Sequence, residues 1–505
     1  MNARASRAGG ACGWIAGVLL LVQAAAAAGA VPPPQTPALP GPTGEDRDLT
    51  TRYRLVERYA VEEGPDLLTS YEVAYRETVK VMVETAQAAP RVEEVRRSGR
   101  FGERVAAVAP LDGRTVSAVV RRYEEAAVTP DPWTATGAPP LMSGLDLYLV
   151  GLGSASPRLI VLTPERALWE HEYRFALGNP AVPVLAALLP ERPLRLGDTW
   201  AISQTGAAAL LGEPVQGGTL TGKLAEIRPE GLPEAAASDE TAVLDIEGQV
   251  QTRSGPTAAR ARVEFAFRLL PSAGSELASG TSRDTALVAV GGIVSIRHAQ
   301  VTSSAADPEQ GIPGFEQRRE LVLRRRWPPQ AAVPSVPAAP PSADDRNSWL
   351  ILADPQGRFH LRHPQILQWD AAASNGDRIT LVQSRGQTPD LLVLDFLPDR
   401  QPKPDDAFRG AFDRYKEAGF EVLPLDPRAL PEEEWPGMKA YRVEAVISPP
   451  AEAATLPRTH LDGYVLLTSG SAAFQAMALT TSTDEVQAFR ALVEEVLKTL
   501  RLGRP

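Results

Sequence analysis

The sequence predicts two β-containing domains: an N-terminal, mainly antiparallel β domain over 48–327 and a C-terminal α+β sandwich over 347–505. Three observations predict this. Alternating apolar and polar residues recur at 71–83 and 260–269, the period of half-buried strands. A proline cluster from Pro328 to Asp345, with Pro329, Pro334, Pro337, Pro340 and Pro341, offers nothing to bury and reads as a linker over 328–346. Beyond it, short alternating runs are interspersed with two stretches of helical period.

In chain order, residues 1–30 have the parts of a secretory signal. Arg4 and Arg7 form a positive end, Trp14–Val22 an apolar core, and Ala28-Gly29-Ala30 a small-residue cleavage site before Val31. The apolar block is shorter than the ~20 residues a membrane span needs, so cleavage, export and no remaining integral membrane segment are expected. The destination is periplasmic or extracellular. Residues 31–47 are Pro-rich and read as an extended spacer.

The N-terminal domain then runs in period-2 patterns. Tyr53, Leu55, Tyr59 and Val61 open it. Tyr71, Val73, Tyr75, Val79, Val81 and Val83 oppose Glu72, Arg76, Thr78 and Lys80. Leu244, Ile246 and Val250 oppose Asp245, Glu247 and Gln249, and Val263, Phe265, Phe267 and Leu269 oppose Arg262, Glu264 and Arg268. One dry and one wet face is the habit of antiparallel sheets, and a large curved sheet with few short helices on its apolar side is expected. Helix candidates are Val182–Leu189, ended by Pro190, and Ala207–Leu211, stopped by Gly212 with Pro214 beyond.

Between and after these lies Leu189-Pro190-Glu191-Arg192-Pro193-Leu194-Arg195-Leu196-Gly197-Asp198-Thr199-Trp200, followed by Gly217-Gly218-Thr219-Leu220-Thr221-Gly222. The bottom-up reading is a Gly-Asp turn anchored by a buried Trp. The stretch resembles uncharacterised secreted proteins of planctomycete-type bacteria over about residues 140–325. That resemblance implies no catalytic role.

In the C-terminal domain, strands are expected at 357–366, 378–382, 391–397, 420–425, 441–447, 463–468 and 473–480, the last two turned by Ser469-Gly470-Ser471. A helix is expected over 405–418, capped by Asp405, with Phe408, Ala411, Phe412 and Tyr415 on one face and Gly419 at its end. A final helix opens with Ser482 and Glu485 in capping-box spacing. Val486, Phe489, Leu492, Val493, Val496, Leu497 and Leu500 make its stripe, expected to pack on the domain's own sheet. The order β-β-β-α-β-β-β-β-α, with Phe359, Leu361 and Pro364 opening it, resembles the PsbP-like fold group over about 349–501. Members include extrinsic subunits of photosystem II and many exported bacterial proteins. The resemblance implies an α/β sandwich used for docking; no functional residue carries over, since Gln365, Ile366, Leu367 and Gln368 replace the usual glycine before Trp369.

Composition bounds the function. Net charge is −10, and removing 1–30, with two arginines and no acid, takes it to −12. Such a chain repels phosphate backbones and anionic bilayers, so no nucleic-acid partner is expected. Cys12 is the one cysteine and precedes the cleavage site, which excludes disulfides, thiolate metal sites and a cysteine nucleophile from the mature chain. His360 and His363 are the close histidine pair, but Pro364 and the Phe359/Leu361 alternation make their segment a strand, which turns them to opposite faces. His171, His298 and His460 stand alone. Gly151-Leu152-Gly153-Ser154-Ala155-Ser156 lacks the third glycine of a dinucleotide fingerprint and reads as a loop. Glu432, Glu433 and Glu434 cannot converge on one ion and read as a solvated loop. Arg324, Arg325 and Arg326 read as a solvated strand end rather than a phosphate site. No catalytic, cofactor or metal residue is assigned. The expected function is that of a non-enzymatic exported binding or carrier-like protein, its partner an apolar small molecule; the alternatives are an envelope protein-docking module and an enzyme whose site is assembled from scattered carboxylates and arginines of the C-terminal domain.

Overall fold

The computed structural model describes residues 51–503 except 62–67, 86–87, 109–115, 131–141, 143, 153–159, 165, 180–181, 230–239, 271–285, 307–313, 331–332, 335–341, 345–346, 355, 371–372, 375, 384–388 and 451–456. The expected signal, spacer, most of the 328–346 linker and the loop at Gly153–Ser156 lie outside the described residues.

The first strands are β1 (Tyr53–Glu57), β2 (Ser70–Thr85), β3 (Ala88–Val108), β4 (Val116–Thr129), β5 (Asp146–Val150), β6 (Ile160–Leu162) and β7 (Leu168–Trp169). Helix α1 (Glu170–Gly178), a 3-10 helix at Val182–Leu188, β8 (Thr199–Ala201) and α2 (Gln204–Leu211) follow. Then come β9 (Val215–Arg228), β10 (Glu240–Thr252), β11 (Gly255–Leu270), β12 (Leu287–Ser304) and β13 (Gly314–Arg326). All but β7 form one 12-stranded sheet in the order β6-β5-β4-β3-β2-β13-β12-β11-β10-β9-β8, with β1 added to β12. The pairings along that order are antiparallel; β1 alone joins parallel, beside the stretch of β12 that β13 does not reach. The mainly antiparallel β expectation thus holds.

Alternation gives the sheet its two faces. On one, Tyr71, Val73, Tyr75, Phe101, Leu244, Val263, Phe265, Ile296 and Leu323 are buried together with Phe175 of α1, Leu185 and Leu188 of the 3-10 helix and Leu210 of α2. The other face is exposed over much of β9 to β13, with small buried clusters of Val120, Tyr148 and Leu162 and of Ala266 and Val294. The two helix candidates near 182 and 207 are therefore present, and Gly212 ends α2 with its N–H donating to the Ala208 carbonyl. Helix α1 was not foreseen: its Glu170, His171 and Glu172 are buried and obscure the apolar period. The Gly-Asp turn is as read. Gly197 sits at φ +87°, Asp198 accepts the Arg195 N–H at 2.9 Å, and Trp200 is buried against Gly222, where a Cβ would meet the indole at 2.4 Å.

Beyond residue 347 come β14 (Trp349–Ala353), β15 (Phe359–Pro364), β16 (Gln368–Trp369), β17 (Arg378–Gln383) and β18 (Asp390–Leu397). Next are α3 (Pro404–Ala407), α4 (Arg409–Glu417), β19 (Glu421–Pro424), β20 (Arg428–Ala429), a 3-10 turn at Glu432–Glu434, β21 (Met438–Ser448), β22 (Thr459–Thr468), β23 (Ala473–Thr480), α5 (Val486–Lys498) and β24 (Arg501–Leu502). An antiparallel sheet runs β16-β17-β18-β23-β22-β21-β19, with β20 on β21. Helix α5 covers one face: Phe489, Val493, Val496 and Leu497 pack with Phe359, Leu394, Phe396 and Phe474. Helices α3 and α4 serve the other, where Phe408 and Phe412 meet Val443, Ile447, Leu461 and Val465.

Two helix starts differ from expectation. The helix expected over 405–418 breaks at Phe408, whose ring is buried at the break; Lys403 is its N-cap, and Asp405 lies in the first turn. Ser482 makes no side-chain cap; a 3-10 turn at Thr483–Glu485 leads into α5 instead.

A small third sheet, β24-β15-β14-β7, joins segments from both sides of the Pro-rich stretch. Strand β7 pairs parallel with β14, and Leu350 enters the core of the large sheet. The Gln365 side chain bonds the Val161 backbone at both its N–H (3.1 Å) and carbonyl (2.6 Å). Arg174 of α1 lies 4.7 Å over the Trp369 ring. His363 and Glu170, both buried, approach to 3.3 Å without hydrogen-bond geometry.

Candidate ligand-binding groove

The exposed face of the large sheet carries a groove of about 700 Å³ across β8 to β13. Strand register builds its floor. One row of directly opposed residues runs Thr199, Lys223, Asp245, Arg262, Arg297, Val322. The next row includes Thr221, Glu247, Arg260, Ala299 and Glu320. Period-2 alternation brings these side chains to one face while Leu244, Ile246, Val263 and Leu323 point the other way.

Charges of both signs line the groove, and some are spoken for. Arg262 lies 3.5 Å from Asp245 and 3.6 Å from Glu226. Arg260 lies 3.9 Å from Glu247. Lys223, Arg297 and Glu320 have no ion-pair or hydrogen-bond partner among the described residues. Exposed pairs of this kind contribute little stability, ~0–1 kcal/mol each, so this face is not organised for folding energy.

Behind the groove, the buried face holds a different set of charges. Arg325 is fully buried; it donates to Glu57 at 2.5 Å and to the Tyr59 hydroxyl at 2.8 Å, and lies 5.0 Å over Trp327. The triplet reading of a solvated strand end is corrected here: Arg324 points outward, Arg325 inward, and Arg326 is half-buried and bonds Gln330 at 2.6 Å. Alternation separates neighbours that composition lumps together. Tyr71 donates to Glu103, which accepts from buried Arg121 at 2.8 Å; Arg121 also donates to Tyr123 at 3.0 Å. Burial raises the Tyr59 and Tyr71 hydroxyls well above their ordinary value, keeping them neutral donors. Arg319 donates to Glu77 at 2.5 Å and to the Leu211 carbonyl at 2.7 Å, closing the C-terminus of α2. Apart from the Arg325 Nε, which has no hydrogen-bond partner, these groups are matched donor to acceptor, the requirement for buried charge. They read as structure.

His298 also points inward, and neither ring nitrogen has a hydrogen-bond partner. Burial, reinforced by the Arg319 charge, holds its pKa down at about 3. His360 and His363 occupy opposite faces of β15: His360 approaches the Gly503 carbonyl at 3.0 Å, and His363 faces Glu170. His171 is buried and its ring lies 5.9 Å from that of Trp169. Glu432 and Glu434 turn to Lys439 (3.7 Å) and Lys498 (2.7 Å).

The converging carboxylates of the C-terminal half lie between α5 and the sheet. Arg490 bonds Asp462 (3.0 Å) and Glu444 (2.9 Å), and Arg442 bonds Glu444 (2.7 Å) and Glu494 (2.8 Å). Burial raises Asp462, with Arg490 opposing it. Each acid here has an arginine, so the cluster clamps α5 to β21 and β22. No group of three or more potential metal ligands occurs among the described residues, and no helix there is long and apolar enough to cross a membrane.

No family model matches the chain, and no curated protein matches it. The resemblance to planctomycete-type secreted proteins accordingly gains no support. Similar solved structures include the Saccharomyces cerevisiae Ran-binding protein Mog1p, at 11% identity over 31% of this chain and 96% of that one, TM-score 0.24. Another is cyanobacterial PsbP from Synechocystis sp. PCC 6803, at 14% identity over 31% and 92%, TM-score 0.24. The outer membrane protein OmpT of Vibrio cholerae, with loop L8 deleted, matches at 6% identity over 81% and 98%, TM-score 0.11. Scores this low decide neither the fold nor the function of this chain.

Proposed function

We propose that this chain is a non-enzymatic, exported binding protein that takes a polar, charged ligand in the groove on the exposed face of its large sheet. One observation carries the reading: two rows of charged and polar side chains cross that face, and Lys223, Arg297 and Glu320 in them have no partner among the described residues. An apolar ligand would need room on the other face, where α1, α2 and the 3-10 helix pack against Tyr71, Phe265 and Leu323. Groove geometry therefore favours an ionic ligand over an apolar one. Binding rather than turnover is supported by the carboxylate cluster under α5, where Glu444, Asp462 and Glu494 are each paired with an arginine. A PsbP-like sandwich for the C-terminal domain, used for docking, fits the helices on both faces of its sheet; exposed Leu423 and Leu425 beside its edge strand favour a protein contact as a second reading.

Native mass spectrometry of protein purified from its own host tests the main reading. A bound small molecule is expected, and the double variant Lys223→Glu/Arg262→Glu should lose it. A retained molecule indifferent to those substitutions would move the site elsewhere.

A further inference from the structure

Arg297 belongs to a second constellation that extends past the groove. It stands opposite Val322 on β13, and Val322 stands opposite Arg76 on β2. Arg324 lies two residues beyond Val322 on the same face, opposite Ala74 and Ser295. Strand spacing of ~4.8 Å puts the Arg297 and Arg76 Cα atoms ~10 Å apart, and Arg324 is diagonal to each at ~7–8 Å. All three are exposed, and none has an ion-pair or hydrogen-bond partner among the described residues. Small residues lie among them, Ala74, Ser295 and Ala299, and on the groove side Arg297 stands opposite Arg262, which is answered by Asp245 and Glu226. Val322, at 41% exposed, lies between them. Glu320 adjoins Arg76 and Arg297 from the other side of Val322 and leaves the island net positive.

Like charges this close repel, and elsewhere on this face arginines are answered by acids: Arg318 by Glu316 at 2.7 Å, Arg100 by Glu124 at 2.7 Å. An unanswered island in a chain of net charge −10 is complementary to a ligand that brings its own negative charge. We propose that Arg76, Arg297 and Arg324 form an anchor for a phosphoryl group on a soluble ligand, the remainder of which extends along the groove. This rests on the groove reading and names the ligand class. Three guanidiniums call for a group of more than one negative charge with several acceptor oxygens, which phosphoryl supplies and a single carboxylate does not. A soluble ligand is favoured over a bilayer surface because the acidic remainder of the chain is repelled by anionic lipid. The bond is electrostatic and exposed, so it weakens with salt.

Calorimetric titration with inorganic pyrophosphate at low ionic strength tests the anchor. One equivalent should bind, and Arg297→Ala and Arg324→Ala should each weaken it about tenfold, the size of one charge-assisted contact. Glu320→Gln should tighten it, and Arg318→Ala should leave it unchanged. All four sites are exposed, so the variants fold. Binding that ignores the arginine variants overturns the anchor. So does capture of phosphatidylglycerol vesicles at the same salt without pyrophosphate binding, which assigns the island to a membrane surface. If pyrophosphate fails to bind while host-purified protein retains a phosphorus-free ligand lost in Lys223→Glu/Arg262→Glu, the anchor is wrong and the groove stands.

Discussion

Arg325 and Glu57 are buried completely, and each leaves the other uncompensated if removed. Glu57→Gln should therefore cost ~3–5 kcal/mol in denaturant unfolding, whereas Arg325→Met with Glu57→Gln together should cost clearly less, since with both charges gone neither is left buried and uncompensated. A single variant no worse than the double would contradict this. His298 makes a pH prediction. Its ordinary value is 6.5, and the fold holds it at about 3. Between those values the unfolded chain takes up a proton that the native state refuses. Its contribution is fully present above pH ~6.5 and is lost as pH falls, by ~1.4 kcal/mol per unit, or ~2 kcal/mol by pH 5. His298→Gln should flatten that component of a pH series; an unchanged slope would place the proton uptake elsewhere. Neither residue's role was legible in the sequence. His298 looks like any lone histidine, and Arg325 sits among three arginines, of which strand alternation buries one.

The elements were legible where one face is apolar and the other polar. Phe489, Val493 and Val496 announce α5 and the face it buries, and the strands at 71–83 and 260–269 announce themselves by alternation. Phe489→Ala should lower the melting temperature and cost ~3–5 kcal/mol, since its ring packs in the cluster with Phe359 and Phe474. An unchanged melting temperature would mean that α5 is not docked in solution. Where burial is polar, the pattern fails. Helix α1 buries Glu170 and Glu172, the latter held by Arg166 at 2.8 Å and by the Trp169 N–H at 2.9 Å, so its sequence reads as a solvated stretch. In strand β13, whose end the three arginines mark, the inward charges were hidden for the same reason: Arg319 and Arg325 face inward beside Leu321 and Leu323.

At the scale of the molecule, the Pro-rich stretch at 328–346 and the small shared sheet pull in different directions. Composition predicts protease cleavage within the stretch. The β7–β14 pairing, the two hydrogen bonds between the Gln365 side chain and the Val161 backbone and the Arg174–Trp369 contact predict that the two fragments stay together afterwards. Cleaved protein should elute as one species in gel filtration, and Gln365→Ala with Arg174→Ala should release the fragments; spontaneous separation of the wild-type fragments would show that the contacts are too weak to hold. The groove itself was hidden from the sequence because its residues come from six strands and meet only through register. Carboxyl footprinting by mass spectrometry puts that surface to the most direct test, comparing protein as isolated from its host with protein stripped of ligand by unfolding and refolding. Asp245, Glu247 and Glu320 should label less in the isolated protein, while Glu93, exposed on β3, labels equally in both. Equal labelling at all three groove acids, with a ligand demonstrably bound, would contradict the assignment of the exposed face as the binding surface.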